Sequence, residues 1–328
     1  MDNETFFYIR RTRAHPPRLA SQAPRRATYT TALEQFEELL GAAEAASPGV
    51  RPLPLFYALS QAGRAIAAAG LPDAWKLRGH GLSCPDLSLP NVLDLEIEFR
   101  TKPKRESPDS FHGVAWATHG ETPSTPVKLG ALWMALPDAC SLLEEADQIE
   151  QWPEALLVVV PETTASRLER FDRVTAGVVS RRHPDGASLV NVLDKYPYAC
   201  ETQIQEVPGA GVVATWTPAG DALTVHWPAE TKDLAGRVST LDRIVPTTPG
   251  GARWWRPLVA GVQMSDLTMW WALLFGLSML ARYEPAGWNA MLDLDSDPHA
   301  AHLVRLMDDA IEVLPALVLQ VLEPSYVA

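Results

Sequence analysis

Two arginines and a histidine, set on or beside two apolar segments, are the side chains here best suited to chemistry. Helical spacing puts positions i, i+4, i+7 and i+11 on one face. In the first segment that face carries Tyr57, Gln61, Arg64 and Ala68; in the second it carries Trp271, Phe275, Ser278 and Arg282, with Tyr283 next. Both faces run from an aromatic ring through an uncharged polar group to an arginine or toward one. His80 follows the first segment in Arg78-Gly79-His80-Gly81, where the glycines permit positive φ or a close backbone approach. A guanidinium fork matches a carboxylate or phosphate, and histidine moves protons near neutral pH. Tyr57, Gln61, Arg64, His80, Ser278, Arg282 and Tyr283 are therefore the candidate ligand-binding residues. An anionic small molecule or an RNA backbone is the natural guest, and His80 and Arg282 are the catalytic candidates. The plainer reading is that these polar groups satisfy one another and nearby backbone while the arginines reach solvent.

Other constellations explain less. There is no phosphate-cradling Gly-Lys-Ser/Thr loop, no dinucleotide glycine fingerprint and no serine elbow, so no cofactor is called for. Asp293, Asp295, Asp297, His299 and His302 resemble a metal cluster but lack the glycine and distal glutamate of a calcium loop. Ser296 or Asp297 as a helix cap before Pro298 accounts for them more simply, and no metal site is assigned. Trp254 and Trp255 between Arg253 and Arg256 could stack a base, though such a pair more often packs as an aromatic corner.

Composition narrows the class. The 328 residues carry a formal net charge of −12, with 47% hydrophobic and 21% charged residues, which describes an ordinary globular protein. The acidic balance opposes nucleic-acid binding by the whole surface. Arg10, Arg11, Arg13, Arg18, Arg25 and Arg26 make the first 26 residues locally basic, read here as a solvated arm. Cys84, Cys140 and Cys200 are odd in number and lack metal-ligand spacing, which fits a reducing cytoplasm. No apolar run reaches the roughly 20 residues a membrane span needs. Homo-oligomerisation is left open.

Periodicity supplies the elements that must position these groups. Helices are expected at Tyr29–Ala46 (capped by Thr30 or Thr31), Leu55–Ala69, Asp138–Gln148, Ser166–Ala176, from Ser265 to Pro285, and at His299–Leu322, the last kinked or divided by Pro315. Alternation predicts strands at Val92–Phe99, Gly113–His119, Val127–Trp133, Ala155–Pro161, Cys200–Val207, Gly211–Thr217 and Ala222–Trp227. The expected class is α+β, a helical bundle unit built from both ends of the chain around a β-rich middle. Its parts are a basic arm (1–26), a first helical part (27–83), the β-rich region (84–260) and a second helical part (261–328).

Two blocks carry a family resemblance. Pro52-Leu53-Pro54-Leu55-Phe56-Tyr57-Ala58-Leu59, with Arg64-Ala65 and then Gly79-His80-Gly81-Leu82, is similar to a block of the bacterial YaaC-like protein family. Leu277-Ser278-Met279 followed by Arg282-Tyr283-Glu284 and Trp288 resembles that family's second block. Arg64 stands where the family often has lysine, and Ser83-Cys84-Pro85 replaces its basic stretch. The resemblance implies no defined activity. A more distant similarity is to HEPN-type helical domains, whose RNA-cutting members carry an arginine and a histidine separated by four to six intervening residues. Here Trp288 stands at that distance from Arg282, while Arg10/His15 and Arg105/His112 have the spacing in segments that do not read as helices. A HEPN-like ribonuclease or toxin-type effector is thus the alternative to a non-enzymatic binding or interaction protein.

Overall fold

The computed structural model describes residues 3–89, 91–101, 108–143, 151–159, 173–180, 182, 192–197, 203–204, 222–228, 241–242, 244–248 and 251–323. The chain divides into two compact units, one of Met1–Trp152 with Val259–Ala328 and one of Pro153–Leu258. The described elements, eight α-helices and antiparallel strands in two sheets, make an α+β protein.

The first unit contains all eight: α1 (Asn3–Ala14), α2 (Ala23–Ala45), α3 (Pro52–Gly70), α4 (Ser110–Ala117), α5 (Leu129–Ala135), α6 (Asp266–Tyr283), α7 (Pro285–Met291) and α8 (Ala300–Leu322). Helix α3 is central, packing against α2, α4, α6 and α8. Its composition explains why. Alanines at 58, 62, 65 and 67–69 present almost no side chain, so neighbours approach closely and bury most of the helix. At Gly63 an added Cβ would lie 2.4 Å from the Trp271 ring, so α3 and α6 meet where no larger residue fits. Ser265 caps α6 by accepting from the Thr268 amide at 3.3 Å, Asp266 lies in its first turn, and Pro285 opens the next helix. Helix α8 runs unbroken through Pro315.

Three expectations change. Helix α2 starts at Ala23, with Pro24 in its first turn, so Thr30 is mid-helix and its hydroxyl bonds back to the Arg26 carbonyl at 3.0 Å. The strands expected at Gly113–His119 and within Val127–Trp133 are helical over Ser110–Ala117 and Leu129–Ala135. Both helices are apolar on nearly every side and short, a case in which hydrophobicity alone cannot separate helix from buried strand. Finally, the first 26 residues are not a solvated arm. They contain α1 and the start of α2, and their arginines are engaged within the unit. Arg10 and Arg13 pair with Glu37, and Arg13 also with Glu34 at 3.1 Å. Arg18 donates to the Val321 carbonyl at 2.8 Å and Arg26 to that of Ala14 at 3.2 Å, each at a helix C-terminus.

A small sheet closes this unit: β1 (Leu82–Ser83), β2 (Glu96–Phe99) and β3 (Val127–Lys128), antiparallel, with Leu82 opposite Phe99 and Ile97 opposite Val127. The alternation read at Val92–Phe99 is real in β2, where Ile97 and Phe99 are buried and Glu96 is exposed. Val92–Asp94 is instead a 3-10 turn capped by Asn91. Residues 84–143, expected with the β-rich middle, therefore lie in the helical unit.

The second unit is a five-stranded antiparallel sheet in the order β6-β7-β5-β4-β8: β4 (Leu156–Val159), β5 (Arg173–Val179), β6 (Gln203–Ile204), β7 (Ala222–Pro228) and β8 (Arg253–Trp255). Residues 173–176, expected at the end of a helix, pair instead with β7. The strand expected at Gly211–Thr217 lies outside the described residues. Of the helix expected at Asp138–Gln148, the described part holds a 3-10 turn at Cys140–Leu143. Trp255 is fully buried, its indole donating to the Pro197 carbonyl at 2.9 Å.

Candidate functional site

The His80 loop is built from behind. Arg25, 6% exposed, donates to the carbonyls of Ala68 (3.1 Å), Leu71 (2.6 Å) and Pro72 (2.6 Å), satisfying the orphan end of α3 from which the loop departs. Its guanidinium also lies 5.1 Å from the Trp75 ring. At the far side, the Arg78 amide donates to the Pro108 carbonyl at 3.0 Å. The first amides of α4 then donate to the loop, Ser110 to Gly79 at 2.9 Å and Phe111 to His80 at 3.2 Å. Gly79 and Gly81 have φ of +73° and +82°. At Gly81 an added Cβ would fall 2.0 Å from Asp109 Oδ1, so the carboxylate sits against the loop backbone itself.

Asp109 is 1% exposed and caps α4, accepting from the His112 amide at 3.0 Å and pairing with His112 Nδ1 at 2.8 Å. Its second oxygen is buried without a hydrogen bond among the described residues, with Arg100 Nε 3.7 Å away. Burial alone would raise this carboxyl's pKa. The hydrogen bonds from His112 and the charges of His112 and Arg100 outweigh it and hold the group below the usual carboxylate range.

His80 is exposed, and its Nδ1 accepts a hydrogen bond from the Leu82 amide at 3.3 Å. A backbone N–H can only donate, so Nδ1 is the acceptor and the neutral ring carries its proton on Nε2. The imidazole packs on Phe275, with ring centroids 5.0 Å apart at 33°. Phe275 in turn meets Phe56 at 5.4 Å, the neighbour of Tyr57 on α3. Arg282 Nη2 donates to the Tyr57 hydroxyl at 2.9 Å, and its guanidinium carbon lies 5.5 Å from the Tyr283 ring. Arg282 has no carboxylate partner among the described residues. Tyr57 and Tyr283 are 40% and 55% exposed, so this seat opens to solvent.

The two faces read from the sequence thus meet at one end. Tyr57 and Arg282 touch directly, Tyr283 adjoins them, and His80 joins through Phe275 and Phe56. Gln61 and Arg64 continue along α3, Arg64 two turns or about 10 Å of axis beyond Tyr57. Arg64 is exposed and Gln61 half-buried. Ser278 turns away. It is 5% exposed and its hydroxyl bonds to the Phe275 carbonyl of its own helix at 2.7 Å. Trp288 is fully buried and donates to the Gly49 carbonyl at 2.9 Å, which fixes α7 to the turn before α3.

A cleft of about 540 Å³ opens on the loop, lined by Gly79 to Ser83, Glu98 to Thr101 and Ser124 to Pro126. Sequence reasoning missed Arg100 and Asp109, and it met His112 only as the partner of Arg105 in a histidine spacing. The one local sign was an aspartate three residues before His112, the spacing of a helix cap.

The remaining candidates are structural. Asp293 accepts from the Asp295 amide (3.1 Å) and the Ser296 hydroxyl (2.8 Å), and Asp297 from the His299 amide (2.7 Å). No group of three metal-ligating side chains occurs among the described residues. Arg253 binds Asp242 and the Val245 carbonyl, and Arg256 the Trp254 carbonyl. Arg10 lies on helix α1 and His112 on α4, although neither segment had read as helical. Cys84 and Cys140 are both thiols, and burial beside Glu98 pushes Cys84 up to about 12. No helix among the described residues is long and apolar enough to cross a membrane.

Fold and site together define an α+β protein whose glycine-flanked histidine loop is pinned between a helix C-terminus and a helix N-terminus, beside an aromatic–arginine seat. The model of the YaaC-like protein family matches residues 7–322, and the chain belongs to that family. No curated protein and no solved structure matches it.

Proposed function

We propose that this YaaC-like chain is a non-enzymatic binding protein that accepts a small anion on the α3–α6 face. Arg282, steadied by Tyr57 and Tyr283, is the principal cation; His80 donates through Nε2–H, and Arg64 is the next cation along α3. The observation that carries the reading is the state of His80. A histidine acting as general base needs a vacant ring nitrogen facing its substrate. Here Nδ1 is taken by the Leu82 amide, so Nε2 presents a proton and suits an acceptor such as phosphate or carboxylate. Arg282, with an aromatic hydroxyl and no carboxylate as its partner among the described residues, keeps its charge for a guest. Trp288 further weakens the ribonuclease alternative, because it fills the expected histidine position with a packing residue. A cytoplasmic setting accords with the Cys84 and Cys140 thiols.

The test pairs two assays on wild type, His80→Ala and Arg282→Gln. Calorimetric titration with inorganic phosphate should show binding that weakens about tenfold or more in Arg282→Gln, the scale of one charge-assisted hydrogen bond. Total RNA incubated with each protein should stay intact. RNA cleavage by wild type that both variants lose would replace this reading with the ribonuclease one.

A further inference from the structure

We propose that the cleft on the His80 loop is a site for a hydroxyl-rich small molecule bearing one anionic group, a sugar phosphate in kind. The inference deepens the reading above and rests on it in taking His80 Nε2–H as a donor to the guest's anion.

The cleft's volume, about 540 Å³, lies within the range of small-molecule sites. Its lining is mixed in a specific way. Thr101, Ser124 and Thr125 contribute hydroxyls with no hydrogen-bond partner among the described residues, and each such group both donates and accepts. Glu98 accepts from the Ser83 hydroxyl at 3.0 Å and retains further acceptor sites. Those acceptors suit ligand hydroxyls, and the same charge repels a second anionic group. Arg100 supplies the cation. It meets Asp109 through Nε, at 3.7 Å, so its two terminal nitrogens have no partner among the described residues. Asp109 is fully buried at its side chain and set against Gly81, so its charge orients Arg100 from behind the cleft wall without entering the cleft. One guanidinium, one histidine N–H, one carboxylate and three hydroxyls fit a polyol with a single phosphate. They do not fit a polyanion, which Glu98 would oppose, nor an apolar ligand, which would strand the hydroxyls.

The test is calorimetric titration of the full chain with ribose 5-phosphate, methyl phosphate and ribose. Ribose 5-phosphate should bind at least tenfold tighter than methyl phosphate. Arg100→Gln should weaken both phosphates at least tenfold, whereas Ser124→Ala with Thr125→Val should weaken ribose 5-phosphate and leave methyl phosphate unchanged. Those two hydroxyls are exposed, so the double variant should fold normally. Equal binding of the two phosphates, or no binding of either, overturns the proposal. Anion binding removed by Arg282→Gln and spared by Arg100→Gln keeps the α3–α6 seat and overturns the cleft. The reverse pattern keeps the cleft and overturns the seat.

Discussion

Replacing Gly81 by alanine should damage the helical unit far more than the same change at Gly79. Both glycines have positive φ, +73° at 79 and +82° at 81. An alanine there costs about 1–2 kcal/mol in backbone strain, less about 0.4–1 kcal/mol because the unfolded chain loses freedom too. At Gly79 nothing among the described residues lies within 4 Å of the new methyl group, so that small net cost is the whole effect. At Gly81 the methyl would sit 2.0 Å from Asp109 Oδ1, so the loop or the carboxylate must move. Moving Asp109 sacrifices the α4 cap, about 1 kcal/mol, and its hydrogen bond with His112, about 1.5–3 kcal/mol. The sum is about 3–5 kcal/mol, a large part of an ordinary domain's stability. Urea unfolding followed by far-ultraviolet circular dichroism measures the difference. Hydrogen exchange at the Ser110 and Phe111 amides, which bond to the loop carbonyls, locates it. Equal destabilisation by the two variants, or unchanged protection of those amides in Gly81→Ala, would refute the claim that Asp109 pins the loop.

Three further outcomes are expected. Arg25→Ala should destabilise the helical unit by about 3 kcal/mol, since the Ala68, Leu71 and Pro72 carbonyls, the first two in buried bonds, lose a charged donor, and Arg25→Lys should not restore it; chemical denaturation checks both. The Asp109 carboxyl is held below its unfolded value, so the unfolded state binds more protons in that window. Its contribution is therefore complete above about pH 4 and is lost as pH falls through the lower folded value. Asp109→Asn should accordingly flatten the acid end of the stability profile. Cys84, with a thiol pKa pushed up to about 12, should react with iodoacetamide at least about 30-fold slower than a small thiol at pH 8, after allowing for its greater intrinsic nucleophilicity. Peptide-resolved mass spectrometry would reveal a faster rate if burial were not protecting it.

How far the site was legible depended on what kind of group each residue binds. Helices α3 and α6 could be read because their apolar periodicity is bounded by proline and serine signals that act locally. Helical spacing placed Tyr57 and Arg282 on faces expected to converge, but their contact, between segments more than two hundred positions apart, came only from the structure. The N-terminal arginines could not be read. Arg18, Arg25 and Arg26 bind backbone carbonyls, and a carbonyl acceptor leaves no mark in residue type. Helix α4 was hidden because Ser110 to Ala115 are all buried, which removes the polar stripe that distinguishes a helix. Arg100 joins Gly81 only through the β1–β2 pairing, a nonlocal register. Ser278 has the right spacing for the shared face, yet its hydroxyl is satisfied within its own helix, a common fate of serine in buried helices.

In the proposed seat His80 is an Nε2–H donor beside Arg282, whose guanidinium has no carboxylate partner among the described residues. Heteronuclear NMR of the His80 ring nitrogens, recorded while inorganic phosphate is titrated into the full chain, tests it most directly. The expected result is an Nε2–H tautomer at neutral pH whose Nε2 signal shifts saturably with phosphate, with the titration weakened by Arg282→Gln. A proton on Nδ1, or a ring that does not respond to phosphate, would contradict it.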